Sequence, residues 1–126
     1  MNSLENSEIG YVDCCNQIPK IIWMLWLQGE ENAPYLVKKC IESWKNNNPD
    51  FKIIVLDKNT INDYVDLQDI FCNNSEHIAP ALFSDIIRIN LLNKYGGFWV
   101  DSTCFCCTPL TNWIQNYIQT GFFVFY

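Results

Sequence analysis

The chain has 126 residues, 49% of them hydrophobic and 15% aromatic, with a formal net charge of −6. That is the length of one domain, and enough chain to bury a core without disulfides or metals. Charged residues make up only 17%, which excludes intrinsic disorder and a coiled coil, and the eight Lys and Arg form no basic stripe, which excludes nucleic acid as the partner.

Seven cysteines occur: Cys14, Cys15, Cys40, Cys72, Cys104, Cys106 and Cys107. The count is odd, two pairs are adjacent, and residues 1–17 are polar and acidic rather than signal-like. Free thiols in a reducing cytoplasm are the expected state. The C-x-C-C cluster at 104–107 lacks the paired spacing of a structural zinc site. These thiols are therefore expected to fill apolar space; a cysteine-based zinc module is the competing reading, and metal analysis decides it. The longest apolar run, 21–27, is far short of the roughly 20 residues that span a bilayer.

Residues 1–17 read as a polar lead-in, and 18–126 as the folded domain. The run from Ile21 to Leu27 predicts a strand buried on both faces. Asn32, Ala33 and Pro34 open a helix with an apolar stripe of Leu36, Val37, Cys40, Ile41 and Trp44, stopped by Asn46 to Asp50. Lys52 to Leu56 is a second, β-branched strand, with Asp57 just past its end. Asn59 is expected to cap a short helix from Thr60 to about Val65. Residues 66–76 are polar and give no clear period.

Pro80 begins a stronger helix with a predicted apolar face of Ala81, Leu82, Ile86, Ile89 and Leu92. Gly96 and Gly97 close it. Phe98 to Val100 is a third strand running into Asp101, Ser102 and Thr103. A short helix over 112–118 and a fourth strand over 122–126 complete the pattern. Strands alternating with helices predict an α/β fold with a mostly parallel sheet and helices on its faces.

In open α/β sheets, ligands bind beyond the carboxyl ends of the strands. Trp26 to Gly29, Asp57, and Asp101 to Thr103 lie at such ends, although Asp57 and Asp101 are equally suited to forming turns or caps. On the helix from Pro80, Ser84, Asp85 and Arg88 sit three and four residues apart and project from one face. That set is either an ion pair or a ligand face. An arginine fork suits phosphate, and a carboxylate suits sugar hydroxyls. The glycine turn is expected to bring Asp101 near this face, with Trp26 and Trp99 nearby. Carboxylates, an arginine and flat rings together suit an activated sugar.

Residues 81–88, with Ser84, Asp85 and Arg88, and then Leu91, Leu92, Tyr95, Gly96, Gly97, Trp99, Asp101 and Thr103, resemble the core of the DXD sugar-binding glycosyltransferases. The opening strand from Ile18 to Trp26 is similar too, as are Cys40 to Trp44, Asn48 to Asp50, and Leu56-Asp57. The capsular polysaccharide synthesis branch is the nearest match, and the large clostridial glucosylating toxins a distant one. The resemblance covers about residues 18–126.

It implies the N-terminal, donor-binding half of a GT-A fold, truncated at its C-terminus. It also implies a nucleotide-sugar donor and a glycan or other hydroxyl acceptor. By the same resemblance Trp26 flanks the nucleobase and Asp57 lies near the nucleoside. Ser84, Asp85 and Arg88 hold the donor sugar and diphosphate, Trp99 lines the nucleotide pocket, and Asp101 is the first acid of DXD. Arg88 would also offset charge on the leaving diphosphate. Thr103 replaces the second acid, a weaker ligand for Mg²⁺ or Mn²⁺: either Asp101 holds such a cation alone with phosphate oxygens and water, or leaving-group stabilisation falls to Arg88. The alternative is a non-catalytic remnant that binds nucleotide sugar or a partner, self-associating through the apolar strand at 122–126.

Overall fold

The computed structural model describes residues 18–71 and 78–114. Three strands, β1 (Ile21–Leu25), β2 (Lys52–Leu56) and β3 (Phe98–Trp99), form an all-parallel sheet in the order β2-β1-β3. Ile21 to Leu25 pair with Lys52 to Leu56, and Ile22 and Trp23 pair with Phe98 and Trp99. The helices are α1 (Tyr35–Asn47), the short α2 (Leu67–Phe71) and α3 (Pro80–Tyr95). The predicted helix over 112–118 and strand over 122–126 lie largely or wholly outside the described residues.

β1 is the central strand, so it must bury both faces. Ile22 and Met24 pack with Val37, Ile41 and Trp44 of α1. Trp23 points the other way and packs with Leu56, Ile87 and Leu91. Each such side chain contributes about 1.5–3 kcal/mol on burial. Two right-handed crossovers that run in opposite directions across the sheet, β1 to β2 and then β2 past β1 to β3, place their helices on opposite faces. The two core clusters record that arrangement, so the fold is an α/β/α sandwich. β1 stops at Leu25 rather than Leu27, because the chain turns: the Gly29 N–H donates to the Trp26 carbonyl at 2.9 Å.

The helix faces differ in part from the period. On α1, Val37, Cys40, Ile41 and Trp44 are buried as expected, whereas Leu36 is exposed. On α3 the buried residues are Ile87 and Leu91, while Leu82 and Ile89 are 52% and 62% exposed. Apolar residues lie on nearly every side of α3, so its sequence does not select a face. An aromatic knot does. Trp23 packs on Tyr64 and Tyr95, at centroid distances of 5.2 and 5.5 Å. The Tyr95 hydroxyl donates to the Tyr64 carbonyl at 2.7 Å. The Trp23 indole N–H donates to the Gly96 carbonyl at 2.9 Å. These bonds fix the rotation of α3.

The turn after β2 is also built differently. Asp57 closes it: its Oδ1 accepts from the Asn59 and Thr60 N–H groups at 2.8 and 3.0 Å, and Asn59 caps no helix. The element that follows is a single 3₁₀ turn, Ile61–Asp63, in place of the longer helix expected there.

Past β3 the chain crosses back over α1. The Trp44 indole donates to the Cys104 carbonyl at 2.8 Å, and the Ser43 hydroxyl accepts from the Cys106 N–H at 2.8 Å. Asn48, only 2% exposed, accepts from the Leu110 N–H at 2.7 Å. The strap seats Cys106 and Leu110 in the α1-side core.

Candidate functional site

A parallel sheet puts every carboxyl end on one edge, so Trp26, Asp57 and Asp101 all emerge there. The order β2-β1-β3 reverses direction at β1. The crevice favoured for ligands in open sheets therefore lies between the ends of β1 and β3, and Asp101 stands at it.

Asp101 is exposed but not loose. The Trp99 indole N–H donates to its Oδ1 at 3.3 Å, and its carbonyl accepts from the Cys104 N–H at 3.0 Å. The carboxylate is thereby held at Oδ1 while the residue as a whole stays exposed. Thr103 is exposed in the same turn. Ser102, which sequence reasoning left without a role, is buried at 6% exposure and donates from Oγ to the Leu25 carbonyl at 3.2 Å.

The Cys104 thiol is pushed up from its ordinary range, first by burial and then by the charges of Asp101 and Cys40. Asp101→Asn is expected to lower that pKa and speed alkylation of Cys104 by iodoacetamide at mildly alkaline pH. Peptide mass spectrometry reads this, with exposed Cys107 as reference. An unchanged ratio of the two rates would show that the carboxylate does not reach the thiol.

Asp85 and Arg88 meet as an i,i+3 pair, with Arg88 Nη2 3.2 Å from Asp85 Oδ1. Their side chains are 54% and 42% exposed, so the pair is accessible and its stabilising contribution is only a few tenths of a kcal/mol. Ser84 is half-buried beside them. Trp99 packs in the same cluster as Ile86 and Leu92 of α3, so the Trp99–Asp101 pair stands on the α3 side of the sheet. No hydrogen bond or ion pair among the described residues joins Asp101 to Arg88. Trp26 packs against the α1-side cluster instead. The two tryptophans thus flank the crevice from opposite faces of the sheet. Asp57 sits at the end of β2, one strand away from the crevice, with Oδ1 engaged in its own turn.

Among the described residues, no cluster of three or more His, Cys, Asp or Glu could hold a metal ion. A divalent cation would therefore fit here only as Mg²⁺ or Mn²⁺ often bind, largely through substrate phosphates and water with one carboxylate. Asp101 is the exposed carboxylate at the end of β3. Of the cysteines, Cys106 is buried and its Sγ lies 3.2 Å from the Thr108 carbonyl, while Cys104 and Cys107 are exposed. Cys14, Cys15 and Cys72 lie outside the described residues.

An open, all-parallel sheet with helices on its faces defines a Rossmann-like α/β domain. The chain belongs to the capsular polysaccharide synthesis protein family, whose model matches residues 10–126. It is similar to the O-glycosyltransferase braB of Annulohypoxylon truncatum, 31% identical over 112 residues, which cover 79% of this chain and 26% of that protein. It is also similar to the glycosyltransferase afumC of Aspergillus fumigatus, 30% identical over 92 residues, covering 64% of this chain and 23% of that protein. The chain spans about a quarter of the length of these relatives. No solved structure matches it.

Proposed function

We propose that this chain is the donor-binding part of a glycosyltransferase that moves a sugar from a nucleotide sugar to an acceptor hydroxyl in glycan synthesis. The observation that carries the reading is the Asp101 carboxylate, oriented by Trp99 at the switch point of a parallel sheet. Family membership and the two glycosyltransferase relatives support it.

In this reading the acceptor hydroxyl's oxygen bonds to the anomeric carbon as the bond from that carbon to the diphosphate breaks, and the hydroxyl's proton passes to the departing diphosphate or to water. The diphosphate leaves with its negative charge. Arg88 on α3 offsets that charge, and Asp85 orients the guanidinium through their ion pair. Asp101 would hold a divalent cation, Mn²⁺ or Mg²⁺, which would supply further positive charge against the leaving diphosphate. Trp26 and Trp99 offer flat surfaces for the base, and Ser84 and Asp57 add polar contacts to the sugar and nucleoside. The four described cysteines are free thiols, which fits a reducing cytoplasm. No helix among the described residues is long and apolar enough to cross a membrane.

Calorimetry with a panel of nucleotides and nucleotide sugars, with and without Mn²⁺, tests the reading. At least one nucleotide is expected to bind, and Mn²⁺ alone to bind too weakly to register, because the protein offers it one carboxylate. A panel with no binder would sink the donor site. A second reading of the same site is a module that binds nucleotide sugar without transferring it. Donor binding without release of free nucleotide in the presence of acceptor glycans would select that module.

A further inference from the structure

The end of β3 is tied to β1 by an unusual substitution. The Val100 N–H donates to the Trp23 carbonyl at 3.0 Å, the last backbone bond between them. In a parallel ladder the next donor along the same edge lies two residues on, at the N–H of residue 102, with the Leu25 carbonyl as its acceptor. Ser102 reaches that carbonyl with its side chain instead, at 3.2 Å.

The exchange has two effects. The Leu25 carbonyl, half-buried at the β3 side of the strand, finds its donor. The backbone is released from the ladder, so it turns at Ser102 and Thr103 and closes the Cys104 to Asp101 bond. Asp101 is thus pinned on both sides, by Val100 to Trp23 and by Ser102 to Leu25. Its carboxylate is set at a fixed distance from the end of β1, where Trp26 begins the opposite wall.

We propose that Ser102 is a positioning residue, whose bond to Leu25 sets where the Asp101 carboxylate meets a cation-bound nucleotide diphosphate. The proposal rests on the reading of Asp101 as a donor-site residue. It assigns Ser102 no contact with the donor itself.

The test is calorimetry of UDP and GDP, each with and without MnCl₂, on the wild type and on Ser102→Ala, Ser102→Thr and Asp101→Ala. Losing one net hydrogen bond that orients the carboxylate is expected to weaken Mn²⁺-dependent binding about tenfold in Ser102→Ala. Binding without Mn²⁺ is expected to change by less than about twofold, since no contact to the nucleotide is removed. Ser102→Thr keeps the hydroxyl and restores the Mn²⁺-dependent affinity. A serine that merely stabilises the turn would lower both affinities together, and that result overturns the proposal. So does an unchanged affinity in Ser102→Ala when Asp101→Ala has lost it. Ser102→Cys, similar in size with a weak S–H donor, gives the same contrast should the alanine variant not fold. A wild type that binds neither nucleotide removes the donor-site reading and the proposal with it. That outcome is distinct, because it appears before any substitution is made.

Discussion

Gly97→Ala is expected to destabilise the chain by about 3–5 kcal/mol, enough to leave much of it unfolded at 37 °C. Two separate costs combine. Gly97 has φ +95°, a conformation that L side chains rarely adopt, at about 1–3 kcal/mol. An added Cβ would also lie 2.7 Å from the Ile21 carbonyl oxygen, a backbone atom that cannot step aside without moving β1. Gly97 is where β3 enters the sheet beside the central strand, so any retreat would break the pairing of Ile22 with Phe98. Gly96→Ala makes a useful comparison. Its backbone, φ 76° and ψ −162°, is also reserved for glycine, but the new Cβ would meet only the Pro19 ring, at 3.1 Å. Thermal melting should rank wild type above Gly96→Ala, and Gly96→Ala above Gly97→Ala. A Gly97→Ala protein that melts like the wild type would show that β3 does not approach β1 so closely.

That glycine pair was legible in the sequence as a helix stop, and so were the strands around it. β2 has the predicted bounds, Lys52–Leu56, because a β-branched run between polar turns leaves few alternatives. The α/β class comes from the alternation of elements. What was hidden depends on partners far away in the chain. Leu82 and Ile89 look like core residues by spacing and are exposed, because Trp23 and Tyr64 decide which side of α3 turns inward. Asp57 reads as a site residue by its place after a strand, yet one of its oxygens closes the local turn. Ser102 is anonymous between Asp101 and Thr103. Its acceptor is 77 residues away, and only the pairing register reveals that a side chain has replaced a ladder bond. A hydroxyl residue two positions after the last backbone-bonded residue of a strand is the signal that could have found it.

Asp101→Ala and Arg88→Ala are expected to abolish most donor affinity while leaving the fold intact, and the contrast between those effects is the diagnostic. Neither side chain supports the core: Asp101 is exposed, and Arg88 is 42% exposed with Asp85 as its ion-pair partner. Exposed pairs of this kind contribute about 0–1 kcal/mol, so melting should shift little. On the proposed reading Arg88→Ala removes a charge-assisted contact to phosphate, which is about 1.5–3 kcal/mol, or roughly ten- to hundredfold in affinity. The loss should appear with and without Mn²⁺, because guanidinium meets phosphate directly. Arg88→Lys should recover only part of it, since an ammonium cannot grip two oxygens with one planar fork. Asp101→Ala should cost at least as much, and chiefly when Mn²⁺ is present. Asp85→Asn, which frees the guanidinium without removing it, should weaken binding less than Arg88→Ala. Nucleotide binding that survives both Asp101→Ala and Arg88→Ala would place the donor elsewhere and return the Asp85–Arg88 pair to a surface ion pair.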